Sequence, residues 1–302
     1  MKKKIIIAGG TGYLGYVLAQ HFKASYNIIV LTRQMNGFSG GINYIYWDAK
    51  TLDSWQTELE NSFALINLTG KSVNCRYTNQ NKEEIRTSRI DSTILLNKAI
   101  LSCNTPPEYF INASTATIYK DARTYPMTES AGRIGNDFSM SVAKLWEKAF
   151  FDTSTPRTLK TAIRTSIVLG NSGGAFPTLK KLAHIGLGGK QGNGQQMVSW
   201  IHEKDFARAV DHILSHQLTG VINVTSPNPI KNAFFMKAIQ KNIKTPFVLS
   251  MPILLLKYGA KLIGTETELV LKSRYVHPER LLHQKFSFKY NTIDKALKNL
   301  TS

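Results

Sequence analysis

The feature that most constrains the fold is a glycine-rich turn near the start of the chain. An apolar segment at residues 3–8 runs directly into glycines at positions 9, 12 and 15, and Val17, Leu18 and Phe22 follow at helical spacing. A strand, a glycine turn and a helix in this order form a dinucleotide-binding unit, in which the helix N-terminus faces the pyrophosphate. An isolated glycine triplet has little specificity, because any buried turn can use glycine for positive φ. Its position after the first strand predicts a nucleotide-binding βαβ unit.

Length and composition exclude several classes of protein. The 302 residues, 42% of them hydrophobic, can bury a large core in one or two domains. The longest apolar run, residues 253–256, is far shorter than the ~20 residues of a membrane-spanning helix. The basic N-terminus lacks an apolar signal region, and Cys75 and Cys103 lack metal-ligand spacing. We therefore expect a cytoplasmic protein with no membrane segment and no metal site.

The formal net charge of +18 is concentrated in the last quarter of the chain. Residues 231–302 contain 13 Lys and Arg against 4 Asp and Glu, a balance of +9. A nucleic-acid interface would produce such a bias. Here the basic residues are spread through helical segments that also carry core leucines, and no recognised nucleic-acid motif accompanies them. The pattern favours a solvated cationic face that attracts anionic ligands, and nucleic-acid binding is not expected.

Strand and helix patterns alternate through the first half of the chain, which is typical of a doubly wound parallel sheet. The predicted strands are residues 3–8, 27–32, 43–47, 63–68, 109–113 and 159–169, and the predicted helices are 13–23, 81–102 and 137–151. Glycines then become frequent up to position 194, a strand follows at 221–224, and the remainder is mainly helical. We predict a Rossmann-type α/β domain over residues 1–170 and a smaller, mostly helical substrate lobe over residues 171–302, some strands of which return to the main sheet.

Several further strings carry a family resemblance over essentially the whole chain. They are Ala64 to Gly70, Arg76-Tyr77-Thr78, Ser88-Arg89-Ile90 with Thr93, Trp146-Glu147, the glycines from 188 to 194, Ser199-Trp200-Ile201-His202 with Asp205, Val276 to Leu281, and Phe286-Ser287-Phe288. Together with the glycine turn they resemble the extended short-chain dehydrogenase/reductase superfamily. The string from Ser199 to Asp205 is most similar to its atypical branch, the NAD-dependent epimerase/dehydratase-like "epimerase family proteins", which carry a small C-terminal domain of unknown function. The resemblance implies a nicotinamide cofactor and a small-molecule substrate.

The end of the second predicted strand indicates which cofactor is bound. Enzymes that use NAD usually place Asp or Glu there, where the carboxylate binds the ribose 2′-OH. Here the strand ends in Thr32 and Arg33, and a guanidinium suits the 2′-phosphate of NADP(H). Arg33 could also be an exposed loop cation. We therefore predict NADP(H) in preference to NAD(H).

Two other cofactor positions leave alternatives open. Asp48 matches the residue that holds the adenine amino group in superfamily members, but it could equally cap the next turn. Arg89 matches a position near the cofactor phosphates or the active site, or it is a helix-surface charge. The complete predicted cofactor set is Gly9, Thr11, Gly12, Tyr13, Leu14, Gly15, Thr32, Arg33, Asp48, Leu68, Thr69, Gly70, Arg89 and Ile167.

The catalytic residues depart from the superfamily pattern. Active members pair a Tyr, which exchanges a proton with a substrate oxygen, with a Lys four residues later that lowers the Tyr pKa. Alignment on Glu147 places Ser139 at the Tyr position and Ala143 at the Lys position. A shift by one residue recovers Lys144 but leaves Met140 for the Tyr. The usual acid/base pair is therefore missing.

Four residues are candidates for the chemistry that remains. Thr115 matches the superfamily's substrate-oxygen-binding Ser/Thr, and Ser114 precedes it. Tyr119 could donate a proton from a different angle than the superfamily's catalytic Tyr does. His202 could act as acid or base near neutral pH, although a buried histidine bonded to the start of the helix containing Asp205 is the commoner arrangement.

The substrate side is predicted to contain Arg76, Tyr77, Gln195, Gln196 and Trp200. Trp200 could instead anchor the hydrophobic core, since tryptophan more often packs in a core than presents its ring to a ligand.

Two functions follow from these motifs. One is an NADP(H)-dependent epimerase or oxidoreductase of unknown substrate, and the other is a cofactor-binding sensor or structural protein with little turnover. The sequence leaves the reaction and the oligomeric state open.

Overall fold

The computed structural model describes residues 2–34, 36–245, 247–254, 256, 266 and 268–302. Leu255, within the apolar run at 253–256, lies outside the described residues. The strands are β1 Lys4–Ala8, β2 Asn27–Thr32, β3 Gly37–Ser39, β4 Ile42–Tyr46, β5 Ala64–Asn67, β6 Tyr109–Thr115, β7 Leu159–Thr165, β8 Ile167–Leu169, β9 Met197–Val198, β10 Trp200–His202, β11 Gly220–Val224 and β12 Ile230–Lys231. The helices are α1 Tyr13–Phe22, α2 Asn79–Ser102, α3 Phe138–Phe151, α4 Phe176–His184, α5 Glu203–Ser215, α6 Asn232–Ile243, α7 Glu268–Leu271, α8 Glu279–His283 and α9 Ile293–Thr301.

An eight-stranded sheet organises the fold, in the order β11-β7-β6-β5-β1-β2-β4-β3. Its pairs are parallel, apart from the edge strand β3, which runs antiparallel to β4. The predicted Rossmann-type parallel sheet is confirmed. Because β1 pairs with β2 on one side and β5 on the other, the winding reverses at β1, and a crevice opens beyond the carboxyl ends of these strands.

The prediction of one strand over residues 159–169 is wrong. The chain leaves the main sheet at Ser166, whose N–H donates to the Val224 carbonyl at 3.2 Å. It then continues as β8, which pairs with β10 through Ile167 and Trp200. No glycine or proline separates the two segments, so local pattern alone cannot reveal that they belong to different sheets. Thr78 caps α2 by accepting the Asn81 N–H, so that helix begins at Asn79 and not at residue 81.

Apolar side chains cover both faces of the main sheet. On one face α1 packs against α5, with Phe22 and Phe206 in the same core. On the other face α2 packs against α3, with Leu96 and Phe150 in the core. The predicted strand at 221–224 lies within β11 and forms one edge of this sheet. Hence residues well beyond 170 complete the Rossmann layer.

A separate core holds much of the C-terminal half together. Trp200 is fully buried there beside Phe176 of α4, Phe235 of α6 and Leu297 of α9. The short β9 pairs with β12 beside this core. The lobe is therefore built mainly of helices, and β8 and β10 join it to the main sheet.

A buried ion pair links the sheet to α3. Arg164 on β7 donates to both carboxylate oxygens of Glu147 on α3, at 2.8 and 2.7 Å, and to the Tyr119 hydroxyl at 2.8 Å. Ser114 on β6 donates to the same carboxylate at 2.5 Å. Burial opposes the charge on Arg164, but the bonds and charge of Glu147 outweigh it, and the Arg164 pKa is raised. The pair fixes α3 against β6 and β7.

We expect Glu147→Ala to lower the free energy of unfolding by about 3–5 kcal/mol, because it leaves a buried guanidinium without its counter-charge. The matched control is Glu83→Ala, which removes an exposed i,i+3 pair with Arg86 on α2 and should cost less than about 1 kcal/mol. Urea denaturation of both variants measures the difference. Equal small losses would show that the buried pair does not stabilise the fold.

Candidate functional site

The glycine turn between β1 and α1 closes against the loop that follows β5. Gly9 has φ +74°, and a Cβ there would lie 3.0 Å from the Thr69 amide nitrogen and 3.1 Å from the Leu68 carbonyl carbon. A Cβ on Gly15 would lie 2.4 Å from the Gly10 Cα. Only glycine therefore permits both the turn and the close approach of α1. The cradle fits a phosphate group, because α1 has no side-chain cap to occupy its first N–H groups.

A cleft of about 730 Å³ opens beside this turn, beyond the carboxyl ends of β1, β2 and β5. It brings together nine of the predicted cofactor residues: Gly9, Thr11, Gly12, Thr32, Arg33, Asp48, Leu68, Thr69 and Gly70. Tyr13, Leu14, Gly15, Arg89 and Ile167 lie outside its lining. Lys50, Lys71 and Ser88 line it too and were not predicted. Lys50 and Lys71 lie in loops with no motif of their own, and Ser88 lies on α2 within the Ser88-Arg89-Ile90 string.

Arg33 and Asp48 both line the cleft, but they differ in the bonds that they make within the protein. The Arg33 side chain is exposed and has no ion pair among the residues described. The Asp48 carboxylate accepts the N–H groups of Lys50 and Thr51 at 2.8 and 2.9 Å, and the Thr51 hydroxyl at 2.9 Å. These bonds hold the Asp48 pKa below its usual range. Of the two alternatives for Asp48, the structure shows the turn cap.

Arg89 on α2 points toward the loop after β5. A Cβ on Gly70 would lie 2.9 Å from the Arg89 guanidinium carbon. The guanidinium donates to the Ile85 carbonyl at 2.9 Å and lies over the Trp146 ring at 5.2 Å. Its loss of hydration lowers the Arg89 pKa to about 10, and no carboxylate within the described ranges pairs with it. The helix-surface alternative is excluded, because this side chain is largely buried.

Tyr13 and Ile167 lie where β8 and α5 approach the glycine turn. The Tyr13 hydroxyl donates to Glu203 at 2.8 Å, and its ring packs against Gly173 and Gly174. Burial and the Glu203 carboxylate raise the Tyr13 pKa. The Tyr13 side chain is therefore committed to packing, which leaves its backbone N–H as the group available to a cofactor. Ile167 is partly exposed, at 37%.

Thr115 is the one predicted catalytic side chain that stays accessible. It ends β6, is partly exposed, and accepts the Thr117 N–H at 3.1 Å. Its hydroxyl proton remains free to bond to a ligand oxygen, since that bond uses only an acceptor site. Ser114 instead donates to Glu147 at 2.5 Å and is 6% exposed. Ser114 supports the buried ion pair, so a catalytic role for it is wrong.

The structure contradicts a catalytic role for Tyr119 and His202. Tyr119 is fully buried, accepts from Arg164 and donates to Asn223 at 2.9 Å. His202 is also fully buried, caps α5 by accepting the Lys204 N–H at 3.0 Å, and stacks on Tyr290 at 3.8 Å. Neither side chain can contact a substrate, because both are covered on every side by the protein.

The predicted substrate residues also divide into buried and exposed side chains. Trp200 is fully buried in the C-terminal core, and Gln196 is 2% exposed and donates to the Gln191 carbonyl at 3.0 Å. Both predictions are wrong, because packing with the C-terminal helices encloses these side chains. Gln195 is exposed, Arg76 is exposed and pairs with Glu266 at 3.4 Å, and the Tyr77 hydroxyl is buried.

The positions that should hold the superfamily's Tyr and Lys have other roles. Ser139, in the first turn of α3, donates to Glu268 at 2.6 Å, and Ala143 is buried. Lys144 is exposed and donates to Asn136 at 2.7 Å. Lys272 donates to both Asp137 and Glu268, which connects the start of α3 to α7. Glu266, which accepts the Tyr77 N–H at 2.8 Å, joins the same cluster.

No helix of the described residues is long and apolar enough to cross a membrane. No group of three or more His, Cys, Asp or Glu side chains within the same ranges could hold a metal ion.

The strand order, the glycine turn and the cleft define an extended short-chain dehydrogenase/reductase of the atypical kind. Family models match the chain as the NAD dependent epimerase/dehydratase family at residues 5–146 and as a domain of unknown function (DUF1731) at residues 251–300. An epimerase family protein of Staphylococcus saprophyticus is 32% identical over 99% of each chain, and one of Staphylococcus aureus is 30% identical over the same shares. The chain therefore belongs to this epimerase family.

Solved structures agree with this assignment. The human epimerase family protein, crystallised with NADPH, is 26% identical with a TM-score of 0.86 over 99% of each chain. A nucleoside-diphosphate sugar epimerase from Corynebacterium glutamicum is 27% identical with a TM-score of 0.79, over all of this chain and 58% of that one. A UDP-N-acetylglucosamine 4-epimerase from Bacillus cereus, 18% identical with a TM-score of 0.78, shares the fold.

The burial of His202 has a consequence for acid stability. Loss of hydration lowers the pKa of His202 from its usual value near 6.5 to about 4. Between these values the unfolded chain binds a proton that the folded protein rejects, so stability present at neutral pH is lost as the pH falls. We expect this histidine to account for about 2 kcal/mol of the stability lost between pH 7 and pH 5.

The variant His202→Asn tests this assignment, because Asn also caps helices but does not titrate. Urea denaturation at pH 7 and pH 5 should show a smaller acid loss than in the unmodified protein. The exposed His184→Asn is the control and should leave the acid loss unchanged. Identical acid losses in all three proteins would rule out His202 as the source.

Proposed function

We propose that the protein binds NADP(H) across the cleft and acts as an epimerase- or oxidoreductase-like enzyme on a small, anionic molecule. The observation that carries the proposal is the exposed Arg33, which pairs with none of the described residues, beside a glycine cradle shaped for a pyrophosphate. The bound cofactor would supply hydride exchange. The human relative of the same family, crystallised with NADPH, supports this choice.

The chemistry at the end of β2 favours the 2′-phosphate form of the cofactor. A guanidinium binds phosphate oxygens through two parallel N–H bonds, whereas NAD-specific sites place a carboxylate there. Asp48 is the acidic residue at this end of the cleft, and its oxygens are already bonded to the 50–51 turn. Lys50 adds a second positive charge to the same wall.

For the substrate, Thr115 is the residue best placed to hold a reacting oxygen. It ends the strand beside β5 and keeps a free hydroxyl proton. Burial raises the pKa of Tyr77, so its phenol stays protonated at neutral pH and can donate a hydrogen bond. Arg76 and Gln195 supply further polar contacts at the surface of this side.

The second candidate function is a cofactor-binding sensor or structural protein with little turnover. Its support is the composition of the α3 wall, where a serine and an alanine replace the Tyr-Lys pair and Lys144 faces solvent. A positioned acid/base typically contributes 10²–10⁴-fold to rate. Reduction of carbonyl compounds in general should therefore be slow, even when NADPH is bound.

We expect Arg33→Asp to weaken NADPH binding by about 2–3 kcal/mol while leaving NADH binding nearly unchanged, because only NADPH carries the 2′-phosphate. Calorimetric titration of both cofactors measures this. Arg123→Asp is an exposed control with the same charge change and should affect both cofactors equally. A preference of the unmodified protein for NADH would contradict the assignment.

We expect Thr115→Val to abolish any turnover while cofactor affinity changes less than about twofold, because the hydroxyl faces the substrate and not the phosphates. The control is Thr117→Val, the same change two residues further on. A screen of carbonyl compounds and nucleotide sugars, followed by NADPH absorbance, measures turnover. Turnover that survives Thr115→Val places the active site elsewhere, and its absence in every protein supports the sensor function.

A further inference from the structure

Two long stretches of the C-terminal half contain no acidic residue. Residues 171–202 and 212–265 hold nine Lys but no Arg, Asp or Glu, although the chain has 20 Asp and Glu in all. A helix face that is simply solvated usually mixes both signs of charge, because pairs of opposite charge three or four residues apart stabilise it. Here positive charge gathers without compensation, so this part of the protein attracts anions.

Several of these lysines lie on the exposed faces of two helices that pack together. On α6 the exposed residues Phe234, Lys237 and Lys241 follow one another at intervals of three and four, which places them on one side of the helix. On α4, Lys181 and His184 are exposed. The opposite faces of α4 and α6 share the C-terminal core, so the two exposed faces belong to one end of the substrate lobe.

The same end of the lobe carries two paired segments, residues 186–192 and 247–251. The Leu249 N–H donates to the Gly186 carbonyl at 2.7 Å, and the Leu249 carbonyl accepts the Gly189 N–H at 3.1 Å. Further along, the Met251 N–H donates to the Lys190 carbonyl at 2.9 Å. Because the first segment follows α4 and the second follows α6, this pairing brings the chain beyond both helices together.

Glycines in the first segment leave apolar side chains of the second uncovered. A Cβ on Gly189 would lie 2.2 Å from the Leu249 carbonyl oxygen, so the two backbones touch and only glycine fits. Since glycine has no side chain, it cannot cover an apolar group on the neighbouring segment. Large apolar side chains at this end of the lobe are exposed by between 47% and 69%, and we call them the apolar ridge: Ile185, Phe247, Leu249, Ile253 and Leu254.

An exposed apolar group flanked by lysines matches the surface of an anionic membrane. Single exposed apolar residues are normal, whereas a contiguous group of them marks a binding surface. Lysine carries a compact, strongly hydrated charge that interacts with the diffuse negative potential of anionic headgroups. Apolar side chains between such lysines enter the boundary between headgroups and acyl chains.

The charges and the side-chain types disfavour two other occupants. A second copy of this chain would bring the same uncompensated lysines to the contact, and like charges would repel. Nucleic-acid surfaces use arginine forks to bind bases and aromatic rings to stack on them. The two stretches contain no Arg, and four of the five ridge side chains are aliphatic and cannot stack on a base.

We propose that the apolar ridge and the exposed lysines around it dock the protein on an anionic lipid surface. The ridge enters the headgroup layer, and the lysines interact with lipid phosphates and carboxylates. The lysines concerned are Lys181, Lys190, Lys237, Lys241 and Lys244. The proposal is independent of the proposed function, because none of these residues lines the cofactor cleft.

Sedimentation of the full-length protein with lipid vesicles tests the docking. The vesicles are phosphatidylcholine alone, or phosphatidylcholine and phosphatidylserine in a ratio of about 2:1, which gives a surface potential that attracts lysines. We expect binding to the mixed vesicles that weakens as salt is added, and about tenfold weaker binding to phosphatidylcholine alone. Equal binding to both vesicles, no binding to either, or tighter binding to duplex DNA than to the mixed vesicles would overturn the proposal.

A double variant measures the contribution of charge. Lys237→Gln with Lys241→Gln should bind the mixed vesicles about 25-fold more weakly, since each lysine near the surface contributes about fivefold to affinity. The control is Lys98→Gln with Lys148→Gln, which removes two exposed lysines of α2 and α3 and should change affinity less than about twofold. Equal losses in the two double variants would contradict docking through this surface.

A second comparison measures the apolar contribution. Phe247→Ser should weaken binding to the mixed vesicles about tenfold, because the phenyl ring no longer leaves water on docking. Phe38→Ser is the control, since Phe38 is 77% exposed on the edge strand β3. Unchanged affinity of Phe247→Ser would show that the ridge does not enter the lipid.

Chemical labelling of the unmodified protein covers the case in which a variant fails to fold. An N-hydroxysuccinimide ester of acetate modifies accessible lysines, and mass spectrometry locates the product. Mixed vesicles should slow the acetylation of Lys237 and Lys241 but not that of Lys98. The same rates with and without vesicles at Lys237 and Lys241 would contradict the docking surface.

Discussion

The bidentate bond between Arg164 and Glu147 fixes the wall on which the whole candidate site depends. It joins β7 to α3, and through Ser114 and Tyr119 it also holds the end of β6. In a buried setting such a pair persists only when its remaining hydrogen-bond positions are also satisfied. Side chains that the superfamily resemblance suggests for catalysis are therefore used to satisfy it. Of the predicted catalytic residues on this wall, Thr115 is the one that stays partly exposed.

The two halves of the cleft consequently differ in how far they follow the superfamily. On the cofactor half, the glycine turn and the loop after β5 approach so closely that a side chain at Gly9 would collide with the backbone of Thr69. On the substrate half, α3 carries Ser139 and Ala143, and a distant segment supplies a charged group. Arg89 comes from α2 and lacks a carboxylate partner among the described residues.

The sequence predicts the parallel sheet and most of the cofactor half, because a glycine turn after a strand reports a local backbone requirement. It does not predict burial that depends on long-range packing. His202 and Trp200 look accessible in a polar string, but α6, α9 and Tyr290 enclose them. Likewise, no local pattern can show that Lys272 meets Asp137, 135 residues earlier in the chain. The sequence also leaves the role of the Asp48 side chain open, because the geometry of the turn determines which N–H groups bond to its carboxylate.

The uncompensated cation at Arg89 bears on which function is correct. A buried guanidinium without a carboxylate partner weakens the folded state, whereas Arg164 and Arg208 are paired. An anion bound beside Arg89, which lies against Gly70 of the cleft, would provide the missing counter-charge. This reasoning applies equally to an enzyme and to a sensor, since both must bind. Anion recognition is therefore common to both candidate functions, whereas turnover depends on how well Thr115 alone can position a reacting oxygen.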